Sequence, residues 1–280
     1  MEPQTPLFFV DNELACEESN KPLIRWAGGK GLLLKYILPH TPVTFNRYFE
    51  PFFGGGALFF ALQPENAFLS DSNEELMNCY LQIRDHPEDI ITLLSSLKST
   101  KEAYYAVRES VPQDGIGRAA RFLYLMKLAF NGVHRVNAQG HFNVPYGRNR
   151  NAPVYDPNHI QRISALLSSA QLSHGDFEIA VSDAQKGDFV YFDPPYTVAH
   201  SNNGFIEYNA SIFSWEDQKR LATVAQKLAE RGCKVLTSNA DHASIHELYS
   251  YFQTESITRV STIAASNKHR RQITECLFHN

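Results

Sequence analysis

Asp188-Phe189-Val190-Tyr191-Phe192-Asp193-Pro194-Pro195, closed by Tyr196, decides how this 280-residue chain is read. Phe189 to Phe192 is a short apolar, β-prone run, the pattern of a strand buried on both faces of a parallel sheet. Proline has no amide hydrogen and fixes φ, so a Pro-Pro pair cannot continue a central strand. The run must therefore end at Asp193, leaving a carboxylate at the C-terminal edge of a sheet, where open α/β folds bind their ligands. An acid after a strand is common in tight turns. Asp-Pro-Pro-Tyr in that place is not, and it points to a ligand edge.

Working towards the N-terminus, two glycine clusters stand ahead of this strand. In Phe49-Glu50-Pro51-Phe52-Phe53-Gly54-Gly55-Gly56-Ala57-Leu58 a strand ending near Phe49 is joined to a helix by three glycines, which lets backbone amides approach a ligand closely. A dinucleotide fingerprint would place a third spaced glycine at position 59, where Phe59 stands, so the cofactor suggested is one without a pyrophosphate. The second strand, Ala67 to Ser70, ends in Asp71, at the position from which α/β folds grip ribose hydroxyls. Asp71 is alternatively an N-cap for the helix beginning at Glu74. The earlier cluster, Arg25-Trp26-Ala27-Gly28-Gly29-Lys30-Gly31, lacks the upstream glycine and the Ser/Thr of a phosphate loop. It reads as a tight turn between an indole and an ammonium, or as a buried Trp beside a solvated Lys.

From Glu74 to about residue 170 the strand–helix alternation gives way to helices over Leu76–Ile83, Pro87–Leu97, Ala103–Glu109 and Arg118–Phe130. Between Lys101 and Asp156 there are eight Lys/Arg and four Asp/Glu, a net +4, so the remainder of a chain of net charge −4 carries −8. A basic module in an acidic protein is the footprint of a polyanion. Within it, β-prone runs on either side of Asn137-Ala138-Gln139-Gly140 suggest a hairpin. Its Arg135, Asn137, Asn143 and Arg148 are residue types that pair with guanine and adenine edges in the major groove. A solvated hairpin is the alternative.

Towards the C-terminus, Leu172 to His174 reads as a strand followed by Gly175-Asp176-Phe177, an acid and an aromatic suited to a purine and its amino group. Val198 to Asn209 is a loop able to order over a substrate. Ser214 caps a helix from Trp215 to Arg231. Lys234–Ser238 is a strand, Ser244–Phe252 a helix, and Glu255–Val260 with Ile273–His279 an antiparallel pair. Their connection, with Lys268, His269, Arg270 and Arg271, is a solvated turn or a second phosphate contact.

Composition sets outer limits. Hydrophobic content of 43% and charged content of 20% are those of a globular chain, and no apolar run approaches the about 20 residues that span a bilayer. Cys16, Cys79, Cys233 and Cys276 lie too far apart for a zinc knuckle or a redox pair, so reduced thiols, a cytoplasmic location and no metal are expected. The first 20 residues, without a signal-peptide pattern, read as a loosely held tail.

These pieces suggest chemistry on an exocyclic amine, whose lone pair is delocalised into its ring. Hydrogen bonds to the Asp193 carboxylate and the Pro194 carbonyl would hold such a nitrogen as it turns tetrahedral and attacks a methyl donor. Tyr196 would stack on the base, which must leave the duplex to reach the site. Methylation at a ring carbon would need a nucleophilic cysteine after a proline, and zinc deamination a His/Cys cluster; both patterns are missing.

Arg25–Lys30, Phe49–Phe60, Asn131–Asn137, Phe142–Arg148 and Tyr191–Tyr196 together resemble, in order, the motifs of the Dam-type DNA adenine-N6 methyltransferases, especially the branch of GATC-specific modification systems. The resemblance runs from about residue 22 to the end. It implies an α/β, Rossmann-like, S-adenosylmethionine-dependent core, residues 1–73 and 159–280, with an inserted, mainly helical target-recognition domain, residues 74–158, carrying the hairpin. It implies that Trp26, Lys30, Asp71 and Asp193 line the cofactor site, joined by Asp176 on the reading above, and that Asp193, Pro194 and Tyr196 serve the target amine. Double-stranded DNA would be met by Arg25, by Phe130 pushing into the stack, and by Arg135 reading a guanine, alongside Asn137 and Arg148. A cognate restriction endonuclease is a possible partner. Val133 replaces a usual Leu, and Asn149-Arg150-Asn151 a usual basic or aromatic pair; both departures touch DNA contacts. RNA adenine or protein glutamine as substrate, or a DNA-binding protein without turnover, are the competing readings.

Overall fold

The computed structural model describes residues 21–137, 139–147, 154–197, 213–260 and 272–280, with the backbone alone at 259–260 and 272–273. The N-terminal tail, Arg148 to Asn151, the loop from Val198 to Asn209 and the connection Lys268–Arg271 lie outside these residues. Among the described residues there are seven strands, β1 Tyr48–Glu50, β2 Ala67–Asp71, β3 Gln171–His174, β4 Phe189–Phe192, β5 Lys234–Ala240, β6 Gln253–Val260 and β7 Gln272–His279. The α-helices are α1 Leu34–Ile37, α2 Ala57–Leu62, α3 Glu74–Asp85, α4 Pro87–Ser96, α5 Lys101–Glu109, α6 Gly115–Leu128, α7 Pro157–Leu167, α8 Phe177–Ala180, α9 Trp215–Glu230 and α10 Ala243–Leu248. The architecture is mixed α/β and divides into two compact units.

One unit comprises Lys35–Phe52 and Phe177–Asn280. Here β4 runs parallel to β1, with Tyr48 opposite Phe189, and parallel to β5, with Phe192 opposite Thr237. The antiparallel pair follows: β7 lies against β5, Ala240 opposite Glu275, and β6 against β7, Ser256 opposite Cys276. All four residues of β4 are buried, as a strand covered on both faces requires. Its entry is fixed by Asp188, buried, whose Oδ2 accepts from Arg47 Nε and Nη2 at 3.1 and 2.7 Å and from the Gln185 amide at 2.8 Å. Helix α9 opens on a capping box: Ser214 Oγ accepts from the Asp217 amide at 3.1 Å, and Asp217 Oδ2 from the Ser214 amide at 2.9 Å.

The other unit includes residues 21–34 and Phe53–Asp176. Strands β2 and β3 pair in parallel, Asp71 opposite His174. Helices α3 to α6 follow the four predicted helical patterns to within a few residues. Their buried faces include Cys79, Tyr80 and Ile83 of α3 and Ala119, Phe122 and Leu123 of α6. After α6 the chain makes one 3-10 turn, Phe130–Gly132, with Asn131 and Gly132 both left-handed at φ 58° and 61°. Two isolated antiparallel bridges, Ala129 with Tyr146 and Val136 with Phe142, close the following segment on itself. Leu32 to Leu38 is divided between a 3-10 turn, a single α-turn and the start of a second 3-10 turn. Pro39, without an amide hydrogen, sits in the last of these and cannot extend an α-ladder.

Candidate active site

The end of β4 is held from three directions within its unit. Ser238 Oγ, on the adjacent strand β5, donates to Asp193 Oδ1 at 2.6 Å. Its hydroxyl has one proton, so the Tyr191 hydroxyl, 3.2 Å away, donates to Ser238 in turn. From α9 the wholly buried Gln218 Nε2 donates to the Pro195 carbonyl at 3.1 Å, while its Oε1 accepts from Asn239 Nδ2 at 3.0 Å. From β7 the carboxylate of Glu275, only 2% exposed, accepts from the Tyr196 hydroxyl at 2.7 Å. Burial, followed by the charge of Glu275, pushes the Tyr196 phenol well above its ordinary range, so the hydroxyl stays a donor.

The consequence is a preorganised strand end. Asp193 is half-buried with one oxygen already oriented, Pro194 is buried, and Tyr196 is tethered by its hydroxyl. A tyrosine fixed at its polar tip keeps its ring in a defined plane, as stacking on a planar ligand requires. Ser238, Gln218, Asn239 and Glu275 were not singled out in the sequence. They come from β5, α9 and β7, and only strand register and helix packing bring them to β4.

In the other unit the glycine turn and the acid of β2 are joined. Asp71 Oδ2 accepts from the Gly54 amide and Oδ1 from the Asn73 amide, both at 2.9 Å. Burial raises the Asp71 pKa, and these two amides oppose the rise. The helix-cap alternative is settled differently: Asn73 caps α3, its Oδ1 accepting from the Leu76 amide at 3.0 Å. The backbone of Asp71 accepts from the Gly175 amide at 3.1 Å, which brings Asp176 to the same edge.

Trp26 lies over Gly54, where an added Cβ would come 2.7 Å from the indole Cδ1 at φ +47°. A side chain there would displace the indole. Lys30 is not solvated: it is 7% exposed and donates to the Gly28 carbonyl at 2.8 Å. Trp26 and Asp71 thus meet at Gly54, Asp176 follows the Gly175 amide bonded to Asp71, and Lys30 closes the glycine turn after Trp26.

The expected DNA residues also belong to this unit. Phe130 is 55% exposed, as an inserting aromatic must be. The side chain of Arg25 passes Gly132, with Cδ 3.3 Å from where a Cβ would be. His134 stacks on Trp26 at 5.5 Å between ring centroids and also packs on Phe122, so it links the indole turn to the bridged segment. Arg135 Nε donates to Asn143 Oδ1 at 2.8 Å. Asn137 is a turn-former, with Oδ1 accepting from the amides of Gln139 and His141 at 3.0 and 2.9 Å. Its carboxamide oxygen is therefore engaged by the backbone of the turn. Arg148 lies outside the described residues.

Several cations of the basic segment have internal partners. Arg118 pairs with Glu74 and Glu75, Arg121 donates to the carbonyls of Val107 and Arg108, and Arg108 pairs with Glu109. Because Glu74 and Glu75, the partners of Arg118, lie before the counted range, the count of +4 overstates the field available to a polyanion. Among the described residues no helix is long and apolar enough to cross a membrane.

Comparison with known proteins adds the remaining information. The family model for the D12 class N6 adenine-specific DNA methyltransferase matches residues 26–263. The chain is 42% identical over 271 residues to the type II methyltransferase M1.LlaDCHI of Lactococcus lactis subsp. cremoris, covering 93% of this chain and 95% of the relative. It is 35% identical over 285 residues to the type II methyltransferase M.MjaIII of Methanocaldococcus jannaschii, at 93% and 99% coverage. Identity to a DNA adenine methylase of Vibrio cholerae is 30% over 267 residues, at 93% and 96% coverage.

Proposed function

The chain belongs to the D12 class of N6 adenine-specific DNA methyltransferases, and from that premise we propose that it methylates adenine within GATC in duplex DNA, using S-adenosylmethionine and a target base turned out of the helix. The observation that carries the reading is the oriented Asp193 at the end of β4, fixed by Ser238 at 2.6 Å, beside a Tyr196 tethered to Glu275 at 2.7 Å.

In this reading Asp193 and the Pro194 carbonyl accept the two hydrogens of the adenine N6 amine, which draws its lone pair out of conjugation and aims it. Attack of that nitrogen on a bound donor's methyl carbon would break the carbon–sulfur bond, and the amine would shed one proton. Tyr196 stacks on the extruded ring. The one contribution of S-adenosylmethionine is an electrophilic methyl group. The residues about Gly54 suit that cofactor: a glycine that tolerates no Cβ under Trp26, and a half-buried Asp71 whose carboxylate keeps acceptor capacity beyond the amides of Gly54 and Asn73. Trp26, Lys30, Asp71 and Asp176 are assigned to it.

The segment 74–158 is assigned to DNA recognition, with Phe130 entering the stack and Arg25, Arg135 and Arg148 contacting the duplex. Asn137 shapes the turn that presents Arg135. Location would be cytoplasmic, and the likeness to type II methyltransferases makes a cognate endonuclease a reasonable partner.

Nucleoside analysis of treated duplexes tests the site: N6-methyladenine should accumulate in a GATC duplex and not when any one of the four bases is changed. Equal product from the altered duplexes would remove the GATC assignment. For base extrusion, 2-aminopurine at the target position should brighten when the protein binds, and an unchanged signal would count against it.

A further inference from the structure

A second cluster of chemically active side chains lies in the unit that carries β4 to β7. Asp241 follows β5, His246 lies on α10 and Cys276 on β7, five and thirty positions from His246. The hub is His246 Nε2, which is 2.7 Å from Asp241 Oδ1 and 3.4 Å from Cys276 Sγ, and the three donor atoms all lie within 4.8 Å of one another. Cys276 is wholly buried, whereas the side chains of Asp241 and His246 are 25% and 36% exposed.

Two readings of such a trio are familiar, a nucleophile relay and a metal site, and the geometry separates them. In a relay the acid and the nucleophile bond to opposite ring nitrogens, so that a proton taken at one is balanced at the other. Here both approach the same nitrogen, and no relay can run. Three donors converging on one point is instead what a cation requires. Tetrahedral zinc has bonds of about 2.3 Å to sulfur and about 2.0–2.2 Å to nitrogen and oxygen, which places ligand atoms roughly 3.3–3.6 Å apart. The nitrogen–sulfur separation already matches, and the carboxylate need only turn outward by about half an ångström. The imidazole is braced by an edge-on contact with Phe278 at 5.6 Å, and Ser256 Oγ lies 3.4 Å from the sulfur, so the ring and the sulfur are both supported.

We propose that Asp241, His246 and Cys276 form a binding site for a zinc-type divalent transition-metal ion, through carboxylate oxygen, Nε2 and thiolate, with a fourth position open to water. A mixed sulfur, nitrogen and oxygen set selects zinc or a similar ion over magnesium or calcium. On binding, the sulfur–hydrogen bond is exchanged for a sulfur–metal bond and the proton passes to buffer. The ion would tie the end of β5 and α10 to β7, the strand whose Glu275 holds Tyr196. Widely separated donors explain why the sequence led to an expectation of no metal.

The full chain, stripped with chelator and returned to buffer, is titrated with zinc against a chromophoric competitor and separately with cobalt(II). One equivalent should bind, cobalt should give a thiolate-to-metal charge-transfer band, and zinc should raise the thermal midpoint. Cys276→Ser should abolish the band, and His246→Gln and Asp241→Asn should each weaken binding at least about tenfold. The last two alter half-exposed side chains, so the comparison stands even if Cys276→Ser fails to fold. Zinc uptake equal in wild type and all three variants, or the absence of a cobalt–thiolate band, would overturn the proposal and leave an Asp–His ion pair beside a buried thiol. None of these readouts depends on methyl transfer.

Discussion

Two aspartates bracket β4, and their surroundings divide their roles. Asp188 is buried and committed to Arg47 and a backbone amide, so it fixes where the strand begins. Asp193 is half-buried and has one oxygen oriented by Ser238, so it can meet a ligand. The prolines made Asp193 legible in the sequence; nothing local marked Ser238 or Glu275, because their partnership is created by strand register. Ser238→Ala removes a hydrogen bond to a charged group, worth about 1.5–3 kcal/mol. If that bond serves the transition state, kcat for methyl transfer should fall by roughly tenfold to a hundredfold, alongside a lower thermal midpoint because the buried Tyr191 hydroxyl loses its acceptor. An unchanged kcat would show that Asp193 needs no such support. His134 gives a prediction in pH. Its burial lowers the imidazole pKa from the ordinary 6.5, so the fold favours the neutral ring. As pH falls through 6.5 the unfolded chain takes the proton first, so the stability contributed is full above that value and is lost as pH falls towards the lower folded pKa. His279 shifts in the same direction, so His134→Phe should flatten the fall in thermal midpoint below about pH 6.5 without abolishing it.

At the level of elements, periodicity and capping carried most of the information. The helical patterns of α3 to α6, the buried run of β4 and the antiparallel pairing of β6 with β7 all stand where local pattern places them. Departures have local causes. Helix α10 ends at Leu248, short of Phe252, because Tyr249 leaves helical geometry at φ −100° and ψ 22° and is buried with Phe252. The Ser214 cap of α9 satisfies a backbone donor, so Ser214→Ala should cost about 1 kcal/mol and lower the thermal midpoint by a few degrees. Gly54 offers a sharper test of the glycine turn. An alanine at φ +47°, with its Cβ 2.7 Å from the Trp26 ring, must displace the indole. Gly54→Ala should weaken S-adenosylmethionine binding measured by calorimetry at least about tenfold, through loss of a preformed surface. Undiminished affinity would move the cofactor away from that turn.

For the molecule as a whole, charge shows where sequence counting stops being sufficient. Formal charge identified a basic segment, yet Arg108, Arg118 and Arg121 have partners within the chain, and both Glu partners of Arg118 lie before the counted range. Affinity for any duplex should still fall as salt rises, with a slope of about −0.9 per phosphate contact. Arg118→Gln should leave that slope unchanged while lowering stability; a slope shallower by about one unit would return Arg118 to the DNA surface. The family, and with it adenine methylation of DNA, is shown by the comparisons, whereas the role of Asp193 in shaping the amine is the claim on which the rest depends. The most direct test is transfer of labelled methyl from S-adenosylmethionine to a GATC duplex by wild type and by Asp193→Ala, with folding and duplex binding checked for both. The account predicts label in the GATC duplex with wild type, none in a scrambled duplex, and loss of turnover in Asp193→Ala while it still binds DNA. Turnover by Asp193→Ala near the wild-type rate would contradict it.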